Sequence, residues 1–293
     1  MEFRPCIDIH NGKVKQIVGG SLVDGAGTVS KENTESDNIM FDGAGIACKE
    51  QAESKTVRFG STAKENFVSS YDAAFYAKFY KQHEIFGGHV ILLNKTGTEE
   101  YKATKKEALS ALNTFPGGLQ VGGGICPANA KEFLDAGAQA VIVTSYVFAD
   151  GMIHMGRLQE MVNTVGKERL VLDLSVRRRD GQFYIVTDRW QKYTDTILDK
   201  KLLEHMEKYA VEYLIHAVDV EGKASGIDEE LAEILGSYQG IPITYAGGIH
   251  SFEDLEILKT LGKNHVNATI GSALDLFGGN MAFEDVLGFC RDC

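Results

Sequence analysis

Two aspartates in this 293-residue chain each close a short apolar run, in Cys6-Ile-Asp8-Ile and in Val171-Leu-Asp173-Leu. Two carboxyl groups facing one ligand can divide acid and base work between them, provided their surroundings hold one protonated and the other ionised. An aspartate at the end of a strand also serves simply to cap the next turn, so neither residue means much alone. The downstream segments give them meaning. Gln120-Val-Gly-Gly-Gly124-Ile and Val141-Ile-Val-Thr-Ser145 come after the first aspartate, and Thr244-Tyr-Ala-Gly-Gly248-Ile and Thr269-Ile-Gly-Ser272 come after the second, in the same order. Such an internal repeat points to a duplicated half.

The glycine turns suggest what the two halves hold. Glycine lets backbone N–H groups approach an anion closely, and the N-terminus of a following helix adds a favourable dipole. One double-glycine turn requires no explanation beyond geometry. Two at equivalent places, each followed by a serine, predict two phosphate sites and so a bisphosphate ligand. The candidate ligand-binding residues are Gly123, Gly124 and Ser145 on one side, and Gly247, Gly248, Gly271 and Ser272 on the other. Trp190, the only tryptophan, comes after Arg177-Arg-Arg-Asp-Gly181-Gln-Phe-Tyr, a pattern that predicts a hairpin turning near Asp180-Gly181. Its ring either stacks on a planar heteroaromatic group or plugs the rim of the fold. Arginines 177 to 179 either steer phosphate or form a solvated turn face. The eight histidines lack the spacing of a metal site; His10, His89 and His216 lie at strand ends or in strands and could face the pocket, most histidines are expected to be structural polar residues, and no catalytic metal is implied.

Eight β-type runs position these residues: Arg4 to Ile9, His89 to Leu93, Leu119 to Gly122, Ala140 to Thr144, Leu170 to Leu174, Tyr213 to Ala217, Ile243 to Ala246 and Asn267 to Ile270. Helical spacing fills intervals at Tyr71 to Gln82, with Ser70 available as its cap, and at Ala128 to Ala136, Asp199 to Tyr209 and Phe252 to Leu261. Strands alternating with crossover helices are the α/β signature. The expected fold is a (β/α)8 TIM barrel built from two duplicated half-barrels, as one domain over residues 1–293; a doubly wound open sheet is the alternative. In a barrel, an aspartate closing strand one and another closing strand five face each other across the mouth at the C-terminal ends of the strands. The stretch at about 19–66 breaks the rhythm, being rich in Gly, Ser, Asp, Asn and Lys, and reads as a long loop over the mouth with a short strand near Thr56 to Phe59.

Composition narrows the field. A formal net charge of −11, from 30 Lys and Arg against 41 Asp and Glu, argues against nucleic acid and anionic membranes as partners. A chain with 44% hydrophobic residues can bury a large core, and 32 glycines against 4 prolines suit many tight turns. No run reaches the roughly 18 to 20 apolar residues of a membrane span, and the start lacks a signal pattern, so a soluble protein is expected. Five scattered cysteines suggest a reducing compartment, with the terminal Cys290-x-x-Cys293 either a frayed tail or a redox pair.

Together, Pro5-Cys-Ile-Asp8, Gly12-Lys-Val, Val121-Gly-Gly-Gly124-Ile, Val141-Ile-Val-Thr-Ser145, Leu172-Asp173-Leu-Ser, Ile215-His-Ala-Val-Asp219-Val-Glu-Gly and Tyr245-Ala-Gly-Gly248-Ile resemble the ProFAR isomerase family, the phosphoribosylformimino-aminoimidazole-carboxamide ribotide isomerases of histidine biosynthesis. The resemblance spans the chain. Asp-Arg-Trp190-Gln-Lys-Tyr-Thr-Asp195 and Gly271-Ser-Ala-Leu-Asp-Leu-Phe-Gly-Gly-Asn280 are similar to the eukaryotic branch, plant or fungal. It implies an Amadori rearrangement, aldose to ketose, without a cofactor. In that scheme Asp173 is the acid that opens the ribose ring and Asp8 the base that removes the C2 proton, and Asp173 is expected to have the higher pKa of the two. The resemblance also adds Asp219 to the substrate-binding set. It further implies a location in the cytoplasm, or in the plastid stroma of a plant, and a monomer is expected. The chain departs from the bacterial pattern at His89-Val-Ile-Leu-Leu-Asn94, at His216-Ala217 and at Ser272. A sister cyclase that consumes the isomerase product with ammonia, and a non-catalytic sugar-phosphate sensor on the same scaffold, are the competing functions.

Overall fold

A computed structural model describes residues 1–17, 65–188, 190–223 and 225–291. The long loop expected at about 19–66, with its short strand near Thr56, therefore lies outside the described residues apart from its last two positions. Those two begin a strand, Glu65–Val68.

Eight parallel strands form the centre: β1 (Cys6–His10), β2 (Gly88–Leu92), β3 (Leu119–Gly122), β4 (Val141–Val143), β5 (Leu170–Asp173), β6 (Glu212–His216), β7 (Ile243–Ala246) and β8 (Val266–Thr269). Each pairs with the next in chain order, giving a curled parallel sheet. Ahead of β1, the Arg4 N–H donates to the Ala268 carbonyl at 2.8 Å, and the Ala268 N–H donates to the Glu2 carbonyl at 2.9 Å. The segment before β1 is thus hydrogen-bonded to β8.

Helices alternate with the strands: α1 (Ala73–Gln82), α2 (Glu99–Thr114), α3 (Pro127–Asp135), α4 (Met155–Val165), α5 (Lys200–Met206), α6 (Glu229–Ser237), α7 (Phe252–Leu261) and α8 (Phe283–Arg291). Their buried faces carry side chains such as Tyr76, Phe133, Leu158 and Leu255, spaced so that one stripe of each helix meets the sheet. Caps fix their starts. Asp72, rather than Ser70, caps α1: its Oδ1 accepts the Phe75 N–H at 2.8 Å. Asp72 stands directly before the first helical residue, where a charged acceptor gains both the free amide and the dipole. The expected hairpin is present, with strands Val176–Arg179 and Gln182–Thr187 around Asp180 and Gly181, both at positive φ, and a third strand, Lys192–Ile197, beside it.

At the N-terminal ends of the strands the interior holds a buried carboxylate with several donors. The Glu212 carboxylate accepts from Gln120 Nε2 and Thr244 Oγ1, each at 2.6 Å, and from Arg4 at 3.3 Å. These bonds tie β3, β6, β7 and the start of β1 together. The C-terminal ends differ, and the candidate site lies there.

Candidate active site

β5 ends on Asp173, and each of its carboxylate oxygens is already engaged. The Thr144 hydroxyl, just past β4, donates to Oδ2 at 2.9 Å, and the Ser175 hydroxyl donates to Oδ1 at 2.7 Å. Trp190 Nε1–H donates in turn to Ser175 Oγ at 3.0 Å. From the end of β6, His216 brings Nδ1 to 3.5 Å from Asp173 Oδ1 and 3.4 Å from Ser175 Oγ. Burial alone would raise the Asp173 carboxyl, but the imidazole and the two hydroxyl donors outweigh it and hold its pKa below the usual value. Burial alone would likewise lower His216, yet Asp173 beside it, helped by Glu221 and Asp8, pushes it up to about 8. In the free protein the two form an ion pair near neutral pH.

Asp8, within β1, has the opposite character. Burial, and then the nearby Glu221 carboxylate, raise its pKa to about 7, against smaller lowering effects from His216 and Cys6. Glu221 is itself pushed up by burial. The expectation that Asp173 would have the higher pKa is therefore corrected: Asp8 has it. The physical reason is that donors and a cation gather at Asp173, whereas a second carboxylate faces Asp8.

A cavity of about 240 Å³ joins the parts. Asp8, Cys6 and Gln16 line it together with Gly271, whose Cβ would stand 2.3 Å from Gln16 Oε1, and His89, His216, Glu221, Gly247, Gly248, Thr269 and Ser272 line the rest. Gly247 and Gly248 lie at φ +122° and +78°. Their backbones are tightly enclosed: a Cβ on Gly247 would stand 2.8 Å from the Ala217 carbonyl and 3.1 Å from Glu221 Oε2, and one on Gly248 would stand 2.0 Å from the Gly226 carbonyl. Only glycine fits such a turn. The N-terminus of α7 beyond it is already satisfied, because Asp254 Oδ2 accepts from the backbone N–H of His250 and of Ser251.

The turn after β3 repeats the positive-φ backbone, and a Cβ on Gly123 would stand 2.1 Å from the Leu92 carbonyl. Gly123 and Gly124 have φ of +101° and +70°, yet Gly124 is exposed and neither glycine lines the cavity. Ser145 is exposed as well, and its Oγ accepts the Asp188 N–H at 3.3 Å. Trp190 sits beside this half with its ring centroid 5.6 Å from that of His216, so it covers the Asp173 pair. Asp219 is not brought into the cavity; its carboxylate is held by Arg177 Nε at 2.9 Å and by the Arg178 N–H at 2.8 Å. The three arginines are committed to structure: Arg178 also reaches Asp228 and Glu230, and Arg179 stacks over Tyr184 and Tyr193.

Sequence reasoning left out Glu221, Gln16 and any particular role for His216. Glu221 lies two residues past Asp219 in Val218-Asp-Val-Glu221-Gly, where period-two alternation puts both acids on one face of an extended run. Only the turn after β6 sends one of them inward. Among the described residues no group of acidic, histidine and cysteine side chains could hold a metal ion.

These features define a parallel α/β protein with one cavity lined by carboxylates, histidines and glycine turns. Residues 46–281 match the family model described as "Histidine biosynthesis protein", and the chain belongs to that family. Over 99% of its length it is 48% identical to the chloroplastic imidazole-4-carboxamide isomerase HISN3 of Medicago truncatula, covering 81% of that protein. The isomerase of the same name from Neurospora crassa is 41% identical over 94% of this chain and 93% of its own length, and that of Saccharomyces cerevisiae 38% over 97% and 96%. Among the described residues no helix is long and apolar enough to cross a membrane.

Proposed function

We propose that this protein is the ProFAR isomerase of histidine biosynthesis, converting an N-substituted ribosylamine phosphate to its ribulosyl isomer. The observation that carries the reading is a single cavity in which Asp8 and the partner imidazole of Asp173 meet a glycine turn built for close approach by an anion. In this reading the curled sheet closes as a (β/α)8 barrel made of two half-barrels, a view supported by the backbone hydrogen bonds between residues 2–4 and Ala268. The substrate is a bisphosphate. Backbone N–H groups around Gly248, Gly271 and Ser272 hold one phosphate in the enclosed pocket, and Gly123, Gly124 and Ser145 receive the other. In this reading Trp190 stacks on the heteroaromatic ring of the substrate.

The chemistry needs a proton delivered to the ribose ring oxygen from the Asp173 side. The C1–O bond breaks, its electron pair goes to that oxygen, and a C1=N Schiff base forms. Asp8, once ionised, removes the C2 proton and gives the enolamine. The enol hydroxyl then returns its proton to the Asp173 side, and C1 takes the proton held by Asp8. No proton is gained or lost overall, and no redox cofactor is required. The acidic composition and the chloroplastic relative suit a soluble setting, in the cytoplasm or a plastid stroma.

The test is turnover of purified ProFAR by the purified chain. Product formed without ammonia supports the isomerase. A requirement for ammonia, or tight binding with no turnover, overturns it.

A further inference from the structure

Asp173 closes strand β5 but does not itself line the cavity; His216 does. The imidazole stands beside the carboxylate and lines the ligand space, with Nδ1 3.5 Å from Asp173 Oδ1. Both carboxylate oxygens of Asp173 are engaged, Oδ2 by Thr144 and Oδ1 by Ser175, and Trp190 locks Ser175 from the far side. A carboxylate held in this way is organised to stay ionised and to orient and charge a histidine.

We propose that His216 is a further catalytic residue, the group that delivers the proton to the ribose ring oxygen, while Asp173 positions it. This rests on the isomerase reading and assigns the acid within it. Nε2, on the opposite side of the ring from Asp173, is the donating nitrogen. As the C1–O bond breaks, the Nε2–H bond breaks and a new O–H bond forms on the departing oxygen. The imidazole is left neutral, with its Nδ1–H held on Asp173. When the enolamine collapses to the ketone, the enol hydroxyl proton returns to Nε2 and the cycle closes.

The other groups around the imidazole fit this role. Glu221, on the segment after β6, and Asp8, on β1, both favour its charged form. His89, on β2, has its ring centroid 6.5 Å away, and burial together with the charge on His216 lowers its own pKa to about 3. His89 therefore stays neutral, and one proton resides on the pair of histidines. The indole of Trp190 covers the imidazole on the hairpin side. Placed this way, His216 is charged at neutral pH and faces the cavity that Asp8, the carboxyl that must take the C2 proton, also lines.

His216→Asn tests the assignment. The expected result is a fall in kcat of about 10² to 10⁴, the size of a lost general acid, with KM changed less than about threefold. The residual activity should also lack the alkaline limb, near pH 8, that the wild type owes to this imidazole. A kcat within about tenfold of wild type, or an alkaline limb that persists in the variant, overturns the proposal. Should His216→Asn fail to fold, NMR titration of the histidines in the wild type and in Asp173→Asn decides. An imidazole that titrates near 8 in the wild type and falls toward its ordinary 6.5 when Asp173 is neutral supports the assignment. One that titrates at the same pH in both sinks it. The titration needs no turnover, so it separates failure of this proposal from failure of the isomerase reading.

Discussion

Asp8 lies within β1 and Asp173 ends β5, and one double-glycine turn with both glycines at positive φ follows β3 and another follows β7. The chemistry of the two aspartates differs. Asp173 is surrounded by donors from Thr144, Ser175 and His216, so it holds its negative charge. Asp8 is desolvated by burial and lies near the Glu221 carboxylate, and these outweigh His216 and the Cys6 thiol, so it holds a proton up to about pH 7. The glycine turns differ in burial, since Gly247 and Gly248 are buried and line the cavity while Gly124 is exposed, although Gly123, like Gly248, is closed in by a carbonyl oxygen, that of Leu92. Two strand-borne aspartates thus differ because their neighbours decide what each carboxyl can do.

The largest expected effect comes from neutralising either carboxylate. Asp8→Asn and Asp173→Asn should each lower kcat by about 10² to 10⁴. Steady-state turnover of ProFAR measures this, and a loss of less than tenfold in either variant would remove that residue from the mechanism.

The pH dependence of kcat/KM probes the contrast without altering it. Asp8 must be ionised to act as base, so the rate should rise as pH passes about 7. His216 must be protonated, so the rate should fall as pH passes about 8. The expected profile is a narrow bell whose two limbs belong to the coupled cluster as a whole. A plateau extending from pH 6 to 9 would break the comparison.

Stability should respond with opposite signs in the two halves. The unfolded Asp8 carboxyl ionises near 3.8 and the folded one near 7, so the folded state loses stability as pH climbs through that interval. Asp8→Asn removes this cost and should stabilise the protein by about 1–3 kcal/mol at pH 8, with the gain shrinking toward pH 5. For His216 the folded pKa, about 8, lies above the ordinary 6.5, so its stabilisation is complete below 6.5 and lost as pH rises through 8. Asp173→Asn should therefore destabilise by about 1–3 kcal/mol near pH 6 and by less near pH 9. Urea unfolding of both variants at several pH values checks the pair, and equal signs at pH 8 and pH 6 would contradict it.

The smallest effect concerns the two turns. Gly248→Ala would drive its methyl to 2.0 Å from the Gly226 carbonyl, which is backbone and cannot turn aside. Gly124→Ala meets the Thr96 hydroxyl at 2.3 Å, a side chain that can rotate away. Both changes carry the positive-φ cost of about 1 kcal/mol. Only Gly248→Ala should lose distinctly more than that and raise KM as well. Melting temperatures and KM values measured side by side would show whether the enclosed turn is the stricter one.

Much of this was legible in one dimension. The apolar runs ending at Asp8 and Asp173, the two glycine turns and the alternation of strands with helical spacing are local patterns, because side-chain period and turn chemistry are read within a few residues. Leu119–Gly122, Ile243–Ala246 and Phe252–Leu261 have the bounds that their sequence predicts. The sequence by itself thus determined the alternation of strands and helices, the repeat of its motifs and the placing of the two aspartates on strands β1 and β5. Protonation was beyond it. Glu221 reaches Asp8 from a turn after β6, and His216 and Thr144 reach Asp173 from the ends of neighbouring strands, so the charges and donors that fix each pKa come from far along the chain. Only the tertiary structure decided that Asp8 is the carboxyl that holds a proton, that Asp219 belongs to Arg177 rather than to the cavity, and that an imidazole stands beside Asp173. Electrostatic interaction depends on distance in space and on burial, and neither can be read from spacing in sequence.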